Sequence, residues 1–238
     1  MKHQYFGDII DLFKYDLLKT LSQDIGFSQI LFVPLLTEND NGNDGNKRNY
    51  EKAQAGNKNQ KLIDFFNAKY SEHKHKRNAK IIEEYFTNEG INFRFKPEEI
   101  FRNKNRKEYF STLLSSLATF DTKNQILFFD PDNGMQVKHN KDKHIKYQEL
   151  KNHLDIICEN SVLSVIQFRH RANWEISRQK RKNDLITEVS PFVTFIANKT
   201  IAFYLIAKSH KRLNEVKKSL KNYKENYPDL WVDEDYKE

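Results

Sequence analysis

Apolar positions along the chain alternate between two spacings. Within 8–21, Ile9, Ile10, Phe13, Leu17, Leu18 and Leu21 recur at helical intervals, with Gly7-Asp8 as N-cap and Gly26 as stop. Ile30-Leu31-Phe32-Val33-Pro34-Leu35-Leu36 is unbroken and predicts a strand over 30–36 buried on both faces. The polar stretch 37–59, rich in Asn, Asp and Gly, predicts a long loop. Helical patterns follow at 61–66, 79–86, 105–118, 147–157, 172–185 and 210–225. Strand patterns lie at 91–95, 125–130, 161–168, 192–197 and 200–207. Only Asn198-Lys199 separates the last two strands, a hairpin spacing.

Strands alternating with helices predict a three-layer, Rossmann-like α/β fold with a mostly parallel sheet. The closing antiparallel hairpin is the arrangement of Rossmann-like methyltransferase folds, a likeness of fold that does not fix function. No internal repeat or linker divides the chain, so 1–238 reads as a single domain. A basic helix covers 209–226, and the acidic tail 229–238 is expected to fray.

Composition sharpens this picture. Eighteen Phe and 11 Tyr among 238 residues supply a sizeable core and exclude disorder over most of the length. The lone Cys158 excludes a disulfide framework and a Cys-rich zinc module. The N-terminus has no apolar leader and no stretch is long enough to span a membrane, which points to a cytoplasmic protein. Forty Lys+Arg against 33 Asp+Glu give a net charge of +7. The cations cluster: Arg169, His170 and Arg171, then Arg178, Lys180, Arg181 and Lys182, with more lysines in 208–224. Such clusters suit a polyanion, and they equally suit a solvated helix face. Arg169, Arg171, Arg178, Lys180, Arg181 and Lys182 are the candidate nucleic-acid contacts.

Two acidic motifs are the candidates for chemistry. Phe128-Phe129-Asp130-Pro131-Asp132-Asn133-Gly134 closes an apolar strand, and in open parallel sheets ligands bind outside the carboxyl ends of strands. Asp130 and Asp132 can aim a water or hold a divalent cation, with Asn133 beside them. The same residue types also build ordinary β-turns. In the second motif Asp8, Asp11 and Lys14 follow one another at helical spacing at a positive helix N-terminus. They serve either as cap and ion pair or as the rim of a cleft. His73 and His75 lie in a polar, basic run, whereas His139 and His144 follow the Asp-Pro-Asp-Asn turn and could approach it. No G-x-G-x-x-G, Walker, H-E-x-x-H or G-x-S-x-G element is present.

Gly7, Asp8, Asp11, Lys14 and Tyr15, together with Phe128, Asp130, Pro131, Asp132, Asn133 and Gly134, resemble the motifs of an uncharacterised bacterial family found among mobile-element and phage-defence genes. The resemblance runs from about residue 5 to 207. A further family element, Tyr-Gln-His followed by Arg, is matched only by Gln167 and Arg171, with Phe168 in place of the His. The resemblance singles out both acidic motifs without naming a reaction.

The first function these features suggest is a DNA-acting hydrolase. Asp130 or Asp132 would activate water while the basic residues of 169–182 hold the backbone. A base-excising glycosylase needs no cofactor, and Asn133 would read a flipped base. A nuclease would need Mg²⁺ on two or more carboxylates. Asp130-Pro131-Asp132-Asn133 also resembles the (D/N)-P-P-(Y/F) loop of base methyltransferases that use S-adenosylmethionine, but lacks the second Pro and the stacking aromatic. A non-catalytic nucleic-acid or protein-binding module is the third reading.

Overall fold

The computed structural model describes residues 1–40, 42, 47–70, 76–119, 124–137, 143–169 and 173–233. Among the described residues seven strands form one sheet: β1 (Gln29–Pro34), β2 (Phe93–Phe95), β3 (Gln125–Asp130), β4 (Val162–Phe168), β5 (Val193–Ala197), β6 (Ile201–Ala207) and β7 (Trp231–Val232). Their order across the sheet is β2-β1-β3-β4-β6-β5-β7. β2, β1, β3 and β4 are parallel, and β6 enters antiparallel between β4 and β5. The fold is α/β and Rossmann-like, with the closing hairpin expected from the two-residue Asn198-Lys199 connection.

Alternate side chains of the central strands feed two separate cores, which is why those strands read as largely apolar runs. Ile30, Phe32, Phe93, Phe95, Ile126, Phe128 and Phe203 face α1 (Ile9–Ile25), α2 (Gln60–Tyr70), α3 (Ile82–Asn88) and α7 (His210–Asn226). Leu31, Val33, Leu127, Phe129, Leu163, Phe195 and Tyr204 face α4 (Arg106–Thr119), α5 (Tyr147–Ile156) and α6 (Trp174–Glu188). Much of the Phe content is spent on the first face. Phe32 stacks on Phe93, Phe95 and Phe128 with ring centroids 5.3–5.6 Å apart.

Helix α1 begins as its sequence dictates. Asp8 Oδ1 accepts from the backbone N–H of Ile10 (2.9 Å) and Asp11 (2.8 Å), and Gly26 ends the helix in the left-handed region at φ 74°. The 37–59 connection forms no helix or strand among its described residues. Its middle returns to the start of α1, where Ile9 N donates to Lys47 O (2.9 Å).

The C-terminus departs from expectation. Residues 229–233 do not fray: Trp231 and Val232 add β7 to the sheet edge, and Lys182 pairs with the buried Asp233 at 2.7 Å. Residues 234–238 lie outside the described residues. Among the described residues no helix is long and apolar enough to cross a membrane.

Candidate functional site

The carboxyl end of β3 abuts the N-terminus of α1, which brings the two acidic motifs together. Lys14 Nζ donates to Asp11 Oδ1 and to Asp130 Oδ2, both at 2.6 Å, the second across 116 residues of chain. All three side chains are 3–6% exposed. Burial opposes the charge on Lys14, but Asp11 and Asp130 outweigh it and hold the ammonium above its usual pKa.

Both motifs are fixed by glycines. Gly7 sits at φ 78°, donates to Asp11 Oδ2 (2.9 Å), and accepts from Arg48 Nη1 (2.7 Å) and the Tyr50 hydroxyl. Gly134, at φ 80°, closes the turn after β3, and a Cβ there would meet Gln167 Oε1 at 2.7 Å. That close approach lets Gln167 Oε1 accept from Met135 N at 2.8 Å. Gln167 therefore clamps the Asp-Pro-Asp-Asn-Gly turn.

Asp8, Asp11, Lys14, Asp130, Asp132 and Asn133 all line one cleft of about 530 Å³. Asp132 is paired with Lys143 Nζ at 3.0 Å and with the α-amino group of Met1 at 3.3 Å. Burial works to raise its pKa, but the α-amino group and Lys143 prevail and set it below the usual value. Asp8 behaves in the opposite sense. Burial, followed by the charge of Asp11, pushes its pKa up to about 7. Asp8 Oδ2 and Asp130 Oδ1 receive no hydrogen-bond donor among the described residues.

The chain matches no family model and no curated protein. The cleft must be read from its own chemistry.

Lys47 and Phe168 join its walls, along with Thr200 from the β5–β6 turn. No local pattern marks these residues, because tertiary packing alone brings them there. Among the described residues no cluster of three or more metal-ligating side chains occurs. The ammonium of Lys14 stands between Asp11 and Asp130 instead. His144 is buried, lies outside the cleft, and its carbonyl accepts from Arg106 at 2.7 Å. His73, His75 and His139 lie outside the described residues.

Within the basic stretch, three of the candidate side chains have partners inside the protein. Arg178 is buried, with its guanidinium against the rings of Trp174 and Trp231. Arg181 donates to Gln136 O (2.8 Å) and the Tyr147 hydroxyl (2.9 Å), and Lys182 holds Asp233. Arg169 and Lys180 remain exposed. Arg171 and His170 lie outside the described residues.

Proposed function

We propose that the cleft is the active site of a nucleic-acid hydrolase that releases a base from its sugar, with DNA as substrate. The observation that carries this reading is one cleft that holds Asp8, Asp130 and Asp132 with different partners: Asp130 is paired with Lys14, Asp132 is held low by Lys143 and the α-amino group, and burial raises Asp8 to about 7. Environments that push neighbouring acids apart are how a site keeps one proton donor beside ionised partners at neutral pH. Protonated Asp8 gives its proton to the departing base. Asp130, in its ion pair with Lys14, orients the water that adds to the sugar C1′ and takes up that water's proton. Its charge favours the cationic character that develops on the sugar. Asn133, at the tip of the turn, offers an amide to the base edge. Exposed Lys47, at the cleft, suits the flanking phosphate.

A nuclease would need Asp8, Asp130 and Asp132 to share Mg²⁺. The Lys14 ammonium already stands between Asp11 and Asp130 where a cation would sit, which favours the metal-independent reaction. The resemblance to a family among phage-defence genes adds a setting to the proposal: excision from invading DNA.

The test is incubation with plain and base-modified duplex and single-stranded DNA, with Mg²⁺ or EDTA. Alkali-dependent breaks that persist in EDTA are expected. Direct Mg²⁺-dependent breaks would replace this reading with a nuclease. Added mass on a base, when S-adenosylmethionine is supplied, would replace it with a methyltransferase.

A further inference from the structure

The chain has two tryptophans, and both stand around one buried guanidinium. Arg178 Cζ lies 5.5 Å from the Trp174 ring centre and 4.5 Å from that of Trp231. These three side chains line a second cavity of about 550 Å³, together with Arg169, Glu175 and Lys199. Trp174 is nearly covered, whereas Trp231 is half-buried and Arg169 and Lys199 are exposed.

Three walls of this cavity are tied to the β5–β6 turn or the strand end beside it. Trp174 Nε1 donates to Asn198 O at 2.8 Å, and Trp231 pairs with Ala197 at the end of β5. Arg169 N donates to Thr200 O at 2.8 Å. Asn198 Oδ1 stiffens the turn by accepting from Thr200 N (2.8 Å) and Ile201 N (2.9 Å). The chain neighbours of Arg169 and Lys199, Phe168 and Thr200, line the acidic cleft. One ridge, made of 168–169 and 199–200, thus separates the two cavities.

We propose that the second cavity is a subsite for one unpaired nucleotide of the strand whose neighbouring nucleotide occupies the acidic cleft. The chemistry is that of single-strand recognition, an aromatic face for a base beside cations for its phosphate. Trp231 is the stacking face, held in place by the buried guanidinium of Arg178 against its ring. Arg169 and Lys199, on the ridge, hold the phosphate that joins the two nucleotides. Exposed Glu175 offers an acceptor to an exocyclic amine. The assignment of the neighbouring nucleotide rests on the hydrolase reading, but binding is measurable without turnover.

Because both tryptophans line the cavity, intrinsic fluorescence reports its occupancy directly. The full chain is titrated with an eight-nucleotide single-stranded DNA of mixed sequence, with deoxyadenosine monophosphate, and with inorganic phosphate. The octamer is expected to quench the emission, and to do so in Trp174→Phe, where Trp231 is the sole reporter. A labelled octamer, followed by anisotropy, should bind Trp231→Leu about 10-fold or more weakly. Trp231→Phe keeps a stacking ring and should recover most of that loss, which separates stacking from misfolding. Arg169→Gln with Lys199→Gln should lower the salt slope of log K by about 1.4.

Absence of quenching by the octamer, or octamer binding that none of these variants alters, would overturn the proposal. Equal affinity for the mononucleotide would assign the cavity to a free nucleotide and overturn the strand subsite. Normal quenching beside full base release in Asp8→Asn and Asp130→Asn would overturn the hydrolase reading alone.

Discussion

At the scale of single residues, Lys14 is the charge on which the two acidic motifs depend. Without it, Asp11 and Asp130 face each other at 6% and 3% side-chain exposure with no cation between them. Lys14→Met should therefore destabilise the fold by about 3–5 kcal/mol in urea unfolding at pH 7. The loss should shrink on acidification, as protonation relieves the orphaned carboxylates. Asp8 makes a pH prediction of opposite sense. Its pKa is about 7 in the folded chain against an ordinary 3.8. Between those values the native state holds a proton that the unfolded chain releases, so this group's contribution to stability falls as pH rises and levels off above about 7. Asn in its place retains the oxygen that caps α1 and removes the cost of ionisation. Asp8→Asn should melt above the parent at pH 8, with the gap closing toward pH 4, while base release drops by ~10²-fold or more. In the parent, base release should decline as pH passes about 7, through loss of the Asp8 proton. Melting curves and initial rates over pH 4–8.5 check both statements. An Asp8→Asn variant that is less stable at pH 8 would leave Asp8 as a cap alone.

At the scale of elements, the turn after β3 is rigid because a neighbouring strand clamps it. Gln167→Ala would leave the Met135 N–H buried without its acceptor, an expected loss of about 1–3 kcal/mol. Since Asp132 and Asn133 ride on that turn, base release should fall with it, and Gln167→Glu, which keeps the acceptor, should recover part of the activity. Calorimetry beside rate measurements on both variants tests this. The example also shows what the sequence makes legible. β1, β3 and β4 announce themselves as largely apolar runs because both faces are covered, and Asp8 and Gly26 mark the start and end of α1 by their chemistry. All six residues of the acidic motifs reach one cleft, and the spacing of Asp11 and Lys14 already implies their pairing. The pairing of Lys14 with Asp130 is a tertiary fact that no local period encodes. β7 is two residues long and too short to carry a period. The basic residues of α6 mislead for a related reason: a count of cations does not reveal which side of the helix they occupy. Arg178 points into the protein because two indoles shelter its guanidinium, and Arg181 and Lys182 follow one turn later onto fixed partners.

At the scale of the whole molecule, a net charge of +7 invites a simpler account, in which any nucleic acid is drawn to the bulk field. Position distinguishes the two. Lys47, Arg169 and Lys199 are exposed around the two cavities, whereas Lys211, Lys218 and Lys221 are exposed on α7. Replacing either set of three by Gln takes the charge from +7 to +4. If binding follows the ridge, only the first triple variant loses phosphate contacts. Its plot of log K against log salt for single-stranded DNA should flatten by about 2, because each lost contact removes ~0.7 from the slope. The α7 variant should keep the parental slope and shift only slightly in affinity. Both should melt near the parent, since none of the six side chains carries a salt bridge among the described residues. Salt titrations of the parent and both variants decide the matter. Equal flattening in the two triple variants would make attraction to DNA a property of net charge, and the cleft would then need a substrate other than a strand held across that ridge.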